Sequence, residues 1–286
     1  MREGPCLFVS DLHGRLTRYE ALFRLVRAEA PVAVFLGGDL LPAWAGLAGG
    51  ESGDFIEEVV ARGFEALREG MGDAYPRVFV ILGNDDPGSE EPGVEAAAAR
   101  GLWEYVHIRP AAFGPHRVYG YNCIPPSPFR LKDWERYDVS RFVDPGSYPP
   151  EEGWHTRLGD RSGPSRATIQ DELSEMVGGD DLRDAILLVH VPPYRSKLDR
   201  AALDGKMVDH TPLDVHVGSI AVRRLIEERQ PLLALHGHVH ESARLTGSWK
   251  DRIGRTVCLS AAHDGPELAV VRFETIRPEA ATRELA

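Results

Sequence analysis

The chain has 286 residues, 43% of them apolar and 27% charged, enough to bury a sizeable core and too apolar for wholesale disorder. Its formal charge of −11 at pH 7 argues against a general binder of nucleic acid or anionic membrane, which needs a basic face. A phosphorylated substrate stays open, because a pair of divalent cations adds about four positive charges and reverses the field in an acidic cleft.

In the first third, strand and helix alternate. Residues 6–10 (CLFVS) form a short apolar run, and 16–30 read as a helix with Leu22, Phe23, Leu25 and Val26 on one side. Pro31 breaks that helix before a second strand at 32–36 (VAVFL). A Gly-, Ala- and Pro-rich loop leads to a helix over 54–69 with Asp54 as N-cap, then a third strand at 78–82 (VFVIL). Near-continuous apolar strands separated by helices indicate a parallel sheet covered on both faces.

The middle is less regular. A short helix is expected at 94–100 and strands at 103–108 and 117–122. Residues 124–165 are dense in Pro, Gly, Arg and Trp with little periodicity, and a loop of that length inside a compact domain is usually a lid or binding loop. A helix at 166–177, a strand at 185–189 (AILLV), a second irregular stretch at 191–216, a helix at 218–229 and a strand at 232–235 follow. Strands at 256–260 and 268–273 close the fold, and the charged tail is expected to fray. Cys6, Cys123 and Cys258 lie far apart without CxxC spacing and read as buried small residues in a reducing compartment. Residues 1–5 are too short and polar for a signal peptide, and no run of about 18 apolar residues occurs, so a cytoplasmic location without a membrane span is expected.

The polar residues that carry chemistry sit at strand ends. Asp11 and His13 follow the first strand in SDLHG, Asp39 follows the second in GGD, and Asn84 follows the third in GNDD. His190 ends AILLV, and His238 and His240 follow LLAL in HGHVH. Open α/β sheets place their ligands at the carboxyl ends of strands. One D-x-H is usually a solvated loop; five clusters in phase are not. Three carboxylate or amide groups and four imidazoles make an oxygen and nitrogen set suited to Mn, Fe, Zn or Co. Thiolates are absent, which argues against a structural zinc site. Seven donors exceed what one open ion needs and suit two ions sharing a carboxylate, and D-x-H and H-x-H put alternate side chains on one side of an extended segment.

This ordered set, D-x-H, G-D, G-N-x-D, H, G-H-x-H, running from Asp11 to His240, resembles the calcineurin-like metallophosphoesterase family. The resemblance implies an α/β fold, a four-layer α/β/β/α sandwich of two mixed sheets. It would span 1–286 as one domain, with the insert at about 124–165 as a candidate cap. It further implies two divalent ions, one on Asp11, His13 and His240, the other on Asn84, His190 and His238, with Asp39 between them. Such a pair activates water for in-line attack on phosphorus. Asp39, Asn84 and Asp85 are the candidate catalytic residues.

At Asp85 the sequence departs from the family pattern, G-N-H-[DE], whose histidine assists near the leaving group. Asp85 either is protonated by its setting, or serves a substrate with a good leaving group, or leaves the proton to His216, His263 or His236; the last two readings are favoured. Tyr194, Lys197 and His216 are candidate substrate contacts, His236 a core or supporting residue, and Asp86 a support for a neighbouring histidine. Trp134, in the aromatic and basic run 128–136, either caps the metals or packs the insert. The leading function is dinuclear metal-dependent hydrolysis of a phosphorylated small molecule, with diester or pyrophosphate-like bonds favoured. A phosphomonoesterase acting on protein or small molecule is the alternative, and a metal-binding interaction scaffold with little turnover is the reading from another class.

Overall fold

The central strands are buried on both faces, and that alone sets the layering. In the computed structural model, which describes residues 4–42, 54–157 and 167–286, two six-stranded mixed sheets pack face to face with helices outside. The first sheet runs β14-β13-β1-β2-β3-β4. Here β1 (Cys6–Val9), β2 (Ala33–Gly37), β3 (Arg77–Ile81) and β4 (Glu104–Tyr105) are parallel, and β13 (Ala269–Phe273) and β14 (Thr282–Leu285) are antiparallel additions. The second runs β11-β12-β10-β7-β6-β5. Its parallel centre is β12 (Thr256–Ser260), β10 (Leu233–His236), β7 (Ala185–Val189) and β6 (His116–Tyr121), flanked by antiparallel β11 (Lys250–Ile253) and β5 (Ala111–Phe113).

Side chains alternate along each strand, so one set faces the other sheet and the next faces helices. Phe8, Phe35, Phe79 and Ile81 meet Ile186, Leu188, Leu233 and Leu235 between the sheets. Leu7, Val9, Val34 and Leu36 turn outward to α1 (Leu16–Glu29) and α2, a helix that opens with a π-helical turn (Ile56–Ala61) and continues as Arg62–Met71. The Asp54 carboxylate caps it, accepting the Glu57 N–H at 2.9 Å. The second sheet is covered by α4 (Ile169–Val177), which Thr168 and Asp171 begin with a capping box, and α5 (Ile220–Arg229), capped by Ser219. The expected start of α4 at Arg166 falls outside the described residues. A helix α3 (Glu91–Ala99) covers β3 and β4, and a short α6 (Ser242–Thr246) follows β10. All three cysteines are buried and free. Among the described residues no helix is long and apolar enough to cross a membrane.

Three readings need correction. The tail does not fray: β14 pairs with β13, Leu268 and Ala286 exchange two backbone hydrogen bonds of 2.9 Å, and Arg272 ties Glu284 at 2.9 Å to Glu29 at 2.7 Å. Alternating charge there marks an edge strand, not a solvated end. The strand expected at 103–108 shrinks to two residues, because Trp103 turns inward and donates to the Val94 carbonyl at 3.0 Å. The stretch 191–216 contains a small hairpin, β8 (Met207–Val208) and β9 (Thr211–Pro212), with no apolar alternation to announce it.

The described part of the insert, 124–157, is ordered by buried polar groups in place of secondary structure. Asp133 accepts N–H groups of Gly88 at 2.8 Å and Thr156 at 2.9 Å, and Asp138 accepts from Ile220 N–H at 2.7 Å and Ser219 Oγ at 2.6 Å. Trp134 is buried against His107, ring centroids 5.2 Å apart, and under the Arg157 guanidinium, so it packs the insert. Lys132 and Glu135 form an ion pair with no exposed surface, 2.5 Å apart. Glu135→Leu leaves that ammonium buried without its counter-charge and is expected to destabilise the protein by about 3–5 kcal/mol, whereas Lys132→Met added to it should recover part of the loss. Urea unfolding of the single and double variants checks this, and equal or lower stability of the double variant contradicts it.

Candidate metal centre

The loops leaving β1, β2, β3, β7 and β10 converge at one edge of the sandwich because backbone hydrogen bonds lace them together. The first two run side by side: N–H groups of Asp11, His13 and Gly14 donate to carbonyls of Gly38 (2.9 Å), Asp39 (2.8 Å) and Leu40 (2.9 Å). Across the sheets, His190 Nδ1 donates to Gly37 O at 2.8 Å, and the His238 N–H donates to Asp11 Oδ1 at 2.9 Å. The third loop joins through the Asp85 N–H, which donates to Asp39 Oδ1 at 2.8 Å. Close approach explains two glycines: a Cβ on Gly83 would collide with Asp39 Oδ1, and one on Gly237 with Asp11 Oδ2.

The donor atoms fall into two groups that share Asp39. Asp11, His13, Asp39 and His240 each offer one ligand atom within 4.8 Å of the others, and so do Asp39, His190 and His238. In the first, His13 Nε2 is 3.1 Å from His240 Nε2, which is 3.2 Å from Asp11 Oδ1. In the second, His190 Nε2 lies 3.2 Å from both Asp39 Oδ2 and Asn84 Oδ1. Four of these residues have left-handed backbone: Asp11 (φ 57°), His13 (47°), Asp39 (51°) and His238 (72°). Such φ values in non-glycine residues mark strain that neighbouring structure must hold in place, and they cluster at functional sites.

Burial opposes charge on the His190 ring, but the Asp39 carboxylate beside it prevails and raises its pKa to about 10. Burial likewise opposes the Asp39 charge, yet His190 and His13 hold its pKa down to about 2. His238 is pushed down to about 3 by burial and the neighbouring His190 charge. A proton on His190 therefore balances Asp39, and a cation bound there takes over that role, so metal uptake and proton release are linked. Oxygen and imidazole donors, two clusters and one shared carboxylate fit a pair of borderline divalent ions.

Asp86 does not support a histidine. Its carboxylate accepts N–H groups of Leu40 (2.9 Å), Leu41 (2.7 Å) and Gly83 (2.8 Å), fastening the Asp39 loop to the Asn84 loop. Burial and the Asp39 charge push its pKa up; three amides oppose them, and both oxygens serve as acceptors, the arrangement of an ionised carboxylate. Asp85 lies between ligand candidates, its Oδ2 3.5 Å from His13 Nδ1 and its Oδ1 accepting Asn84 Nδ2 at 3.0 Å. Burial, then the Asp39 charge, pushes its pKa up to about 7.

His236 is sealed in the core, with Nδ1 3.0 Å from carbonyls of both Val189 and Val191, and burial lowers its pKa to about 4, which removes it as a proton donor to substrate. His263 is held by Glu267 at 3.1 Å. Tyr194, Lys197 and His216 share the β7–α5 loop, and among the described residues no hydrogen bond or ion pair joins them to the seven donors. The Tyr194 hydroxyl donates to Asp214 at 2.6 Å, the Lys197 side chain is exposed, and His216 pairs with Asp199 at 2.9 Å. Sequence reasoning missed Arg18. It is buried in α1, and its guanidinium donates to the carbonyls of Asp11 and Gly265, the latter at 2.6 Å. The available signal was a cation on the core-facing side of an amphipathic helix, one turn before Leu22.

The sequence model of the calcineurin-like phosphoesterase family matches residues 4–242. An uncharacterized protein of Methanocaldococcus jannaschii is 32% identical over 82 residues, a match that covers 28% of this chain and 32%, about a third, of that protein. Among solved structures, a Thermus thermophilus protein superposes with a TM-score of 0.55 at 16% identity, covering 100% of this chain and 99% of the other. A dimetal phosphatase from Danio rerio gives 0.54 at 11%, covering 96% and 93%. At those identities the likeness is one of fold. The chain belongs to the calcineurin-like phosphoesterase family, and it is a metal-dependent phosphoesterase.

Asp86→Asn replaces one acceptor oxygen by an amide that faces backbone N–H groups. It is expected to weaken Mn²⁺ binding about 10–100-fold by loosening the loops of Asp39 and Asn84. Isothermal titration of the metal-free protein measures this, and wild-type affinity in the variant refutes it.

Proposed function

From that membership we propose that the chain hydrolyses phosphodiester or pyrophosphate-like bonds in a phosphorylated small molecule, using two divalent ions held by Asp11, His13, Asp39, Asn84, His190, His238 and His240. The observation that carries this reading is the carboxylate of Asp85 where the family's histidine stands. A bound ion pair supplies an activated water for in-line attack and neutralises charge on the phosphoryl oxygens.

The chain's own residues do the rest. Asp39, shared by both donor groups, keeps them together. Asp85 takes the Asn84 amide nitrogen and so turns the Asn84 oxygen toward His190 Nε2, 3.2 Å away. Its other oxygen faces His13 Nδ1, leaving His13 Nε2 directed at His240 and Asp39. With Oδ1 accepting from Asn84 and Oδ2 facing His13, Asp85 is poorly placed to give a proton to a leaving group, and in its ionised form it repels the second charge of a phosphomonoester dianion more than it disfavours a diester monoanion. Both effects favour diesters and good leaving groups.

Purified protein with Mn²⁺ is expected to hydrolyse an aryl phosphodiester, and Asp39→Ala should abolish turnover. Asp85→His should raise kcat/KM for an aryl phosphomonoester about tenfold or more, since a positioned acid is worth about 10²–10⁴ in rate. Colorimetric assay of the three proteins on both substrates checks these outcomes. No turnover by wild type with any divalent metal across a broad phosphate panel would favour the scaffold reading.

A further inference from the structure

The β7–α5 loop carries a second polar cluster that the metal centre does not use. Asp199 has no exposed surface, and its carboxylate accepts backbone N–H groups of Arg195 at 2.8 Å, Ser196 at 2.9 Å and Gly218 at 3.3 Å. His216 Nδ1 lies 2.9 Å from the same carboxylate. Since the other partners of Asp199 all donate, it is an ionised acceptor and Nδ1 carries a hydrogen, which fixes the histidine tautomer. Tyr194 supports the ring from the side, centroids 6.1 Å apart at 76°, with its hydroxyl on Asp214, whose other oxygen accepts the His216 N–H at 2.9 Å. Asp199 therefore orients the imidazole, while Asp214 holds the His216 backbone and the Tyr194 ring beside it. The ring is 28% exposed, and among the described residues its Nε2 makes no hydrogen bond. Asp199 could pin this loop through amides alone; an oriented ring with an open nitrogen is superfluous for that.

The loop is closed on itself just past His190 and tied at Arg200 to the chain just past His240. Ser219 N–H donates to Pro192 O at 2.9 Å, two residues past His190, and Tyr194 N–H to Ser219 O at 3.0 Å. Arg200, which pairs with His216 across the loop, donates its N–H to Ser242 Oγ at 3.2 Å, two residues past His240, and that hydroxyl donates to Lys197 O at 2.8 Å. Of the other histidines outside the donor set that sequence reading offered as acids, His236 is sealed, and His263 faces a carboxylate at each ring nitrogen, Glu267 at 3.1 Å from Nε2 and Asp264 at 3.9 Å from Nδ1.

We propose that His216, oriented by Asp199, is the group that protonates the leaving-group oxygen. The proposal rests on the phosphodiesterase reading above. As water attacks, its P–O bond forms and the bond to the leaving oxygen breaks. That oxygen keeps the electron pair and takes the Nε2 proton of the doubly protonated His216 ring, whose Nδ1–H stays on Asp199; the ring is left neutral, the proton lost by water goes to solvent, and solvent returns one to Nε2. Asp199 and Tyr194 are positioning residues.

The test uses full-length, Mn²⁺-loaded protein and aryl phosphodiesters whose phenols span pKa values of about 5 to 10, compared between wild type and His216→Gln. Loss should be roughly fivefold with the best leaving group and about 10²-fold with the poorest, so the dependence of kcat/KM on leaving-group pKa steepens, while bound metal and melting temperature match wild type. Added imidazole should restore His216→Gly toward wild type on the poor leaving group and not on the good one. An equal fold loss across the series, or failure of imidazole to rescue, overturns the role of His216. Absence of any diester turnover by wild type overturns the phosphodiesterase reading itself, and the dyad with it.

Discussion

The carboxylate of Asp39 is the constraint on which the edge of this sandwich depends. It belongs to both donor groups, is almost wholly buried, and keeps its charge against burial because His190 and His13 flank it. An isolated buried carboxylate would take up a proton. The surrounding structure reads as a set of devices that keep this one charged and fixed. One Asp39 oxygen accepts the Asp85 N–H, Asp86 ties down the two residues after it, and Gly83 has no side chain where the Asp39 oxygen needs the space.

The strained dihedrals belong to the same logic. Left-handed backbone at Asp11, His13, Asp39 and His238 costs of order 1–3 kcal/mol per residue and persists only if packing over-determines it. Two double-sided sheets provide that excess. Phe35 stacks on Phe79 at 5.1 Å under the Asp39 loop, and the strands feeding the loops are buried at every position except Arg77. Stability is stored in the strands and spent at their ends.

How far the sequence could be read follows from the range of each signal. Apolar runs and their breakers are local, so β1, β2, β3, β7, β10, β12 and most helices emerge within a residue or three of their observed limits. The two-sheet arrangement came through a family resemblance, since an apolar strand does not say which sheet it joins. Missed elements were those too short or without an apolar rhythm: β5, β11, β14, the β8–β9 hairpin and the short α6. Asp86 was misread because its partners are backbone amides, two of them forty-five and forty-six residues away, which leave no mark on side-chain spacing. His216 was legible as a polar residue in a loop, but its orientation by Asp199 exists only in three dimensions.

Charge counting explains why an acidic chain need not repel its substrate, and why one residue matters so much. Asp11, Asp39 and Asp86 bring three negative charges to the cluster and Asp85, its pKa pushed up to about 7, brings part of a fourth, against which two bound dications would set about four positive. The loaded site is then near neutral before substrate arrives. Arg18 adds a cation at the Asp11 carbonyl, so a single negative charge on a diester finds a match while the second charge of a monoester does not. Histidine in place of Asp85 would shift the balance toward positive and admit the dianion. The same replacement would remove the acceptor that orients Asn84 and faces His13. Leaving-group protonation, in this arrangement, has to come from outside the ring of acidic residues. A histidine on the β7–α5 loop can supply it without placing another negative group beside phosphorus.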